Sequence, residues 1–331
     1  MADIFDQPEF VSSGGVKIAV YRDGPDVASA TKPPVIFMHG FPELARSFRH
    51  QMAGLASAGY PVFAPDMRGY NRSDKPKDVS AYGMPALVGD MRAILDHFGI
   101  AKAVFVGHDL GAFVLWALPF YMPERLLGCA GLSYPLLPRL PINPLWGMRL
   151  LFHRKMYMLQ FQKEGRCEPV LEADVERTMR FMMRKVGDFD TSRLDMSFKG
   201  KALNIMEQLE GPEQDWIGEP LMDEAEFQIY VDTFREHGFT APIHWYRNLK
   251  ANWKDMKRFL VKGKLPFVDL PCLIITAQWD FATPPRLSNG MHKLCGPLDR
   301  VDLADCSHWL QMERPAEVTD ALRSWLEKRF G

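Results

Sequence analysis

Residues 103–120 read Ala103-Val-Phe-Val-Gly107-His108-Asp109-Leu110-Gly111-Ala112-Phe-Val-Leu-Trp-Ala-Leu-Pro-Phe120. As one apolar window the stretch looks briefly like a membrane span. An ionisable side chain near the centre of a span costs roughly 2.5–3.5 kcal/mol on insertion scales, and His108 and Asp109 both stand there. A strand, a turn and a helix account for the residues better. Ala103–Val106 is a short, wholly apolar run, as expected of a strand covered on both faces. Gly107-x-Asp109-x-Gly111 is a small-x-nucleophile-x-small turn, whose flanking glycines let the chain reverse sharply enough to expose the central side chain. The apolar run Ala112–Tyr121 then predicts a helix. An aspartate after a strand is also a common helix N-cap, so the role of Asp109 depends on what surrounds it.

Working outward, short apolar runs bounded by Gly, Pro or Asp alternate with helical stretches, the pattern of βα units and a mostly parallel sheet. Val16–Tyr21, after Gly14-Gly15, predicts an antiparallel lead-in strand. Pro34–Met38, Pro61–Ala64, Ala103–Val106, Gly128–Leu132, Cys272–Thr276 and Arg300–Leu303 predict the parallel set, with functional loops at their C-terminal ends. Helices are expected at Ser47–Ala58, Met84–Phe98 and Glu313–Arg329, the last with Pro315 in its first turn. From Tyr134 to about Tyr246 the strand signal stops and Met, Arg and Phe recur at helical spacing, as at Met179, Met182 and Met183. This predicts a helical insertion. Pro135, Pro138, Pro141 and Pro144 lead into it at three-residue intervals, which fits a polyproline II linker. The expected division is a core over 1–137, a cap over 138–247 and the rest of the core over 248–331.

Three loops at predicted strand ends carry reactive groups. His39-Gly40-Phe41-Pro42-Glu43 follows the first parallel strand. In an α/β-hydrolase this loop gives one backbone N–H of an oxyanion hole and the residue after the nucleophile gives the other, which makes Phe41 and Leu110 the candidates. Asp280, in Gln-Trp-Asp280-Phe, and His308, in Asp305-Cys-Ser-His308-Trp309, follow the last two strands. The chain order Asp109, Asp280, His308 is nucleophile, acid, base. His39 and His108 read as loop-orienting residues, Asp302 and Asp305 as solvated or capping ones, and the loop Asp66–Ser73 as structural.

Composition narrows the function from outside. Hydrophobic residues make up 47% of the 331 and charged residues 24%, which excludes a chain that is mainly disordered. Forty Lys and Arg face 41 Asp and Glu, so no bulk field recruits nucleic acid or an anionic membrane. Five cysteines without a C-x-x-C pair suggest neither a disulfide framework nor a zinc site, and point to a reducing cytoplasm. The acidic opening Met1-Ala-Asp-Ile-Phe-Asp6 lacks the basic and apolar regions of a secretory signal.

On these motifs, together with Trp245-Tyr246-Arg247-Asn248 and Ser307-His-Trp-Leu-Gln-Met-Glu-Arg-Pro315, the chain resembles the soluble epoxide hydrolases of the α/β-hydrolase fold from about Phe10 to Phe330. The resemblance implies a mostly parallel eight-stranded sheet flanked by helices, interrupted by a helical cap. It also implies an Asp109 nucleophile, a His308 base oriented by Asp280, and two cap tyrosines that hold the epoxide oxygen. Tyr246 matches one; Tyr157 is similar to the other, with Tyr134 and Tyr230 also available. The expected reaction converts a lipophilic epoxide to a vicinal diol through an alkyl-enzyme ester on Asp109, with no metal or organic cofactor. The partner is then a small-molecule substrate, and the protein a monomer or homodimer. Phe41, Pro42, Leu110, Phe161 and Trp309 are the expected pocket residues, and Leu150, Leu151, Phe152, Met156, Met158, Met179 and Met183 are either further wall or plain core.

The alternatives are a haloalkane or fluoroacetate dehalogenase with the same triad, and a non-catalytic small-ligand binder. Relatives of the dehalogenase kind place Trp or Arg after the nucleophile, to hold halide or carboxylate. Leu110 supplies neither.

Overall fold

The apolar runs predicted as strands lie side by side in one eight-stranded sheet. The strands are β1 (Glu9–Ser13), β2 (Val16–Asp23), β3 (Val35–Met38), β4 (Val62–Pro65), β5 (Ala103–His108) and β6 (Leu126–Leu132). A two-residue pair, β7 (Arg184–Lys185) and β8 (Glu219–Pro220), stands apart, and β9 (Val268–Ala277) and β10 (Cys295–Leu303) complete the sheet. The structure is a computed structural model describing residues 3–152, 156–187 and 203–331. Its strand order is β1-β2-β4-β3-β5-β6-β9-β10, antiparallel at β1–β2 and β2–β4 and parallel from β4 to β10.

Strand alternation explains the two apolar layers. Ile36, Met38, Phe105 and Ile274 point into one layer, while Val35, Phe37, Val104, Val106, Leu273 and Ile275 point into the other. The second layer packs under the helices Arg49–Ser57 and Pro315–Phe330, whose Met52, Leu55, Leu322 and Trp325 it buries. Helix Met84–His97 covers the first layer with Leu87, Met91, Ile94 and Leu95. Both faces of β3, β4 and β5 are therefore dry, which is why those strands read as unbroken apolar runs, whereas the edge strand β10 is half exposed and carries Asp299, Arg300 and Asp302.

The sheet order decides where a site can form. From β3 the chain moves outward to β4, then returns past β3 to β5, so the C-terminal ends of β3 and β5 diverge around a crevice. Met38 is paired with Gly107, which brings the loop at 39–43 level with Asp109.

Two expectations need correction. The helix foreseen over Ala112–Tyr121 is two pieces, Leu110–Leu115 and Leu118–Tyr121. Pro119 has no N–H to give to the Leu115 carbonyl, and the chain tightens at Trp116-Ala117. The insertion between β6 and β9 is helical, with segments such as Val175–Met182, Glu224–His237 and Thr240–Arg247, but it also holds the β7–β8 pair. Strand β1, not foreseen, is an edge strand whose Phe10 is exposed, so it lacked a buried apolar run. The proline-rich stretch 134–143 forms no helix or strand, and Pro144 opens the helix Pro144–Phe152. No helix among the described residues is long and apolar enough to cross a membrane.

Candidate active site

Asp109 sits at the turn between β5 and helix Leu110–Leu115 with φ 50° and ψ −117°, a conformation that a residue with a Cβ rarely adopts. Its side chain makes no capping bond to that helix, which removes the N-cap explanation. Neighbouring glycines make the turn possible. A Cβ on Gly111 would lie 2.0 Å from the Met38 carbonyl oxygen, one on Gly107 2.7 Å from Gly111, and one on Gly40 2.5 Å from Asp109.

The carboxylate is differentiated oxygen by oxygen. Phe41 N–H donates to Asp109 Oδ1 at 3.0 Å, and Oδ2 lies 3.7 Å from His308 Nε2. Leu110 opens the helix, so its N–H belongs to the first turn, where intrahelical acceptors are missing.

His308 follows β10 and pairs through Nδ1 with Asp280 Oδ2 at 3.0 Å. Asp280, fully buried after β9, also accepts from the Thr283 N–H at 2.8 Å and the Thr283 hydroxyl at 2.7 Å. Burial alone would raise the Asp280 carboxyl. The adjacent His308 charge and hydrogen bond, with the Thr283 donors, outweigh it and hold the group far below the usual carboxylate range. For His308 burial works downward, but Asp280, then Asp109 and Glu43, lift the imidazole to about 9.

Above Asp109 the insertion presents Tyr157, on helix Tyr157–Gln160, and Tyr246, on helix Thr240–Arg247. Their rings meet edge to face at 5.7 Å, and both line the cavity that contains Asp109 and His308. Burial is the main cause pushing both hydroxyls well above the ordinary tyrosine range, with Asp109 adding to it, so they stay protonated donors. The other candidates lie differently. Tyr230 Oη faces Ser47 Oγ at 3.1 Å and Tyr134 packs edge to face with Phe113, and neither lines the cavity.

Phe41, Pro42 and Trp309 line the cavity as expected; Leu110 and Phe161 do not. Leu110 turns into the apolar layer, and Phe161 is fully buried behind the Tyr157 and Tyr246 rings, at 5.4 and 5.3 Å. The wall is instead Phe181, Met182, Val186, Leu203, Ile205 and Ile217. Leu150 and Leu151 are 62% and 60% exposed, whereas Met156, Met179 and Met183 are core. The side chain of Phe152 lies outside the described residues.

Residues 33–315 match the alpha/beta hydrolase fold family. Over 323 residues the chain is 37% identical to epoxide hydrolase A of Mycobacterium tuberculosis, covering 96% of each protein. The chain belongs to the epoxide hydrolases of that fold. It is also similar to the crystal structure of epoxide hydrolase A from Mycobacterium thermoresistibile, with TM-score 0.83 and 33% identity over 97% of this chain and 98% of that one. Against bifunctional epoxide hydrolase 2 of Rattus norvegicus it is 34% identical, but there it spans only 53% of the relative's length.

Two features of this epoxide hydrolase were not singled out from its sequence. Thr283 is one; the spacing Asp280-x-x-Thr283, in which a carboxylate accepts from a backbone N–H three residues on, was the available signal. The other is a buried cluster behind the site. Glu43, fully buried, accepts from Gly40 N–H at 2.7 Å and from Gln311 Nε2 at 2.8 Å. Its Oε1 lies 2.7 Å from His108 Nδ1, and His108 Nε2 meets the His308 carbonyl oxygen at 2.8 Å. His108 is thus an orienting residue, as expected, and so is His39. Met67 N–H donates to His39 Nε2, which leaves Nδ1 to donate to the Gly40 carbonyl. Asp66 accepts from Tyr21 Oη, Ala45 N–H and Asn71 Nδ2, consistent with a structural loop.

Proposed function

We propose that this epoxide hydrolase opens a lipophilic epoxide by attack of Asp109 and then hydrolyses the resulting ester with water activated by His308. One observation carries the reading: a carboxylate on a strained turn has one oxygen held by a backbone donor and the other beside a histidine, beneath two protonated tyrosines. We read the three segments 1–137, 138–247 and 248–331 as core, cap and core, with the cap delivering the tyrosines.

Opening an epoxide needs displacement at saturated carbon while a poor alkoxide leaves. With Oδ1 occupied by the Phe41 N–H, Oδ2 is the attacking oxygen. Tyr157 and Tyr246 hydrogen-bond to the ring oxygen and supply its proton, general-acid help of about 10²–10⁴ in rate. A phenylalanine in either place would keep the shape and lose the donor. In the second step water attacks the ester carbonyl, whose oxygen is Oδ1. The oxyanion forms there, between the N–H groups of Phe41 and Leu110, and each such donor is worth roughly 10²–10³ in kcat.

Charge links the two steps. A histidine lifted to about 9 by three carboxylates is a poor base at neutral pH. Once Asp109 becomes a neutral ester, one of the charges sustaining that lift is gone. His308 then loses its proton more readily, at the stage when a base is required. The triad alone would equally serve dehalogenation. The paired tyrosines favour an epoxide, because a departing halide needs no proton.

The test is a single turnover in ¹⁸O-water. Label is expected in the Asp109 carboxylate and absent from the first-turnover diol, since the diol takes its new oxygen from Oδ2. Label entering the diol directly would reject the covalent route, and halide release without any epoxide turnover would favour the dehalogenase.

A further inference from the structure

A net charge of −1 hides an uneven distribution. Residues 139–152 and 249–267, 33 of the 331, hold eight Lys and Arg and a single acid, Asp255. The same two stretches hold seven of the eleven large apolar side chains that are exposed among the described residues. Positive charge and exposed apolar surface are therefore concentrated together, and neither belongs to the site around Asp109.

The two stretches are neighbours in space. Helix Pro144–Phe152 packs against helix Leu249–Asp255. Trp253 Nε1 donates to the Leu140 carbonyl at 2.9 Å, Arg139 Nε donates back to the Trp253 carbonyl at 3.1 Å, and Arg139 and Lys264 line one surface groove. Helix Pro144–Phe152 has two distinct sides. Leu145 is buried against Met156, Leu159 and Leu203, and Leu203 lines the cavity that contains Asp109. Trp146, Arg149 and Leu150, spaced i, i+3 and i+4, are exposed on the other side, with Leu151 beside them and Leu140 and Ile142 on the chain leading in. On the second stretch Lys250, Lys254, Lys257, Arg258, Lys262 and Lys264 are all exposed, as are Val261 and Phe267. Asp255 is already engaged by Arg258, at 3.2 Å, and by the Tyr121 hydroxyl. The five lysines have no carboxylate at ion-pair distance among the described residues.

Three kinds of surface could cover such a face. Nucleic acid would answer the lysines and leave Trp146 and the leucines in water. A second copy packed face to face would set eight cations against eight. A bilayer with anionic headgroups answers both features: the headgroups take the lysines, and the boundary with the acyl chains takes the aliphatic side chains and the indole. We propose that this face docks the enzyme on an anionic lipid bilayer. In the docked state the outer side of helix Pro144–Phe152 lies in the headgroup layer, and its inner side, through Leu145 and Leu203, backs the wall of the cavity. The proposal stands on this face alone and does not depend on the epoxide-opening reading.

The test is co-sedimentation of the full chain with vesicles of phosphatidylcholine alone and with vesicles of a phosphatidylcholine–phosphatidylserine mixture. Each cation held near an anionic surface strengthens binding about fivefold, so three in contact give about a hundredfold preference for the mixture at low salt, largely removed at about 1 M salt. Lys262→Glu combined with Lys264→Glu should cut that preference about twentyfold or more. Trp146→Ser combined with Leu150→Ser should weaken binding to both kinds of vesicle about tenfold or more and leave the preference in place. All four side chains are exposed, so both variants should keep the wild-type melting midpoint. Sedimentation no greater with the mixture than with phosphatidylcholine alone would overturn the proposal, as would a charge-reversed variant of unchanged midpoint that binds the mixture like wild type. Two further results would assign the face elsewhere and overturn it equally: a dimer in solution that the Trp146 and Leu150 substitutions dissociate, or binding to an oligonucleotide as tight as to the mixture.

Discussion

Replacing Asp280 with asparagine should separate the two half-reactions. Asp280 offers Oδ1 to the Thr283 N–H at 2.8 Å and Oδ2 to His308 Nδ1 at 3.0 Å. A backbone N–H can only donate, so an asparagine at this position must keep its carbonyl oxygen on Thr283. Its NH₂ group is then turned toward His308. Facing a donor, Nδ1 becomes the acceptor and the ring proton moves to Nε2, the atom 3.7 Å from Asp109 Oδ2. The lone pair needed to take a proton from water is lost. The charge that lifted His308 to about 9 is lost as well. Reversal of the tautomer in a triad of this geometry costs about 10⁴ in rate.

The cost should fall on one step. Attack by Oδ2 on the epoxide needs no base, and the oxygen is set by the Phe41 N–H, which Asp280 does not touch. Alkylation of Asp280→Asn should therefore run within a few-fold of wild type, while hydrolysis falls by about 10³–10⁴ and the ester accumulates. The Trp309 ring, 4.9 Å from the His308 ring, offers a fluorescence signal for stopped-flow work, and intact mass reads the adduct directly. A variant that turns over slowly with no detectable adduct would refute the reasoning. So would one whose alkylation slows as much as its hydrolysis, because Asp280 would then be holding Asp109 as well as His308.

Tyr157→Phe and Tyr246→Phe should each slow alkylation, and together by roughly 10²–10⁴, with ester hydrolysis unchanged; rapid quench with substrate resolves the steps, and a loss confined to hydrolysis would contradict the assignment. The triad should also shape stability. A histidine lifted from 6.5 to about 9 on folding contributes about 3 kcal/mol, fully present below about pH 6.5 and lost as pH rises through about 9. Urea midpoints should therefore fall more between pH 6.5 and 9.5 in wild type than in His308→Gln, and equal falls would contradict it. Asp280, held below its unfolded value, acts in the opposite direction, and its contribution is lost only in acid.

The parts of the site that were legible in the sequence are those tied to a strand end. Asp109 and Asp280 follow largely apolar runs and His308 follows the mixed edge strand β10, each by a few residues, and a parallel sheet carries all such ends to one rim. What was not legible depends on side-chain direction after a turn. Phe161 and Tyr157 lie four residues apart on one helical face, yet Tyr157 lines the cavity and Phe161 is fully buried, packed in contact with both the Tyr157 ring and the Tyr246 ring from another helix. The wall from Phe181 to Ile217 was missed for a related reason. Helical spacing identifies a buried face but does not distinguish a neighbour in the core from a cavity. Pro119 is different, since its missing N–H makes the break in the helix legible from the sequence alone.

The Glu43–His108 cluster shows why the separate loops act as one site. The oxyanion donor follows β3 and the base follows β10, and the two loops are more than 260 residues apart in the chain. Glu43 fixes Gly40, the residue before the Phe41 donor, while His108 fixes the carbonyl of His308 itself. Glu43 and His108 are both fully buried and 2.7 Å apart, so the β3 loop is tied to the end of β5 and, through the His308 carbonyl, to the β10 loop. Removing either partner would leave a buried polar group of the other unsatisfied, at a cost of about 1–3 kcal/mol. Asp109 lies between these loops in a strained backbone conformation, and strain of that kind persists only where the surroundings over-determine it. The glycines at 40, 107 and 111 give the turn room, and the buried pair keeps the loops on either side from relaxing away from it. On this argument the reactive geometry belongs to the rim as a whole, and Asp109 alone would not hold it.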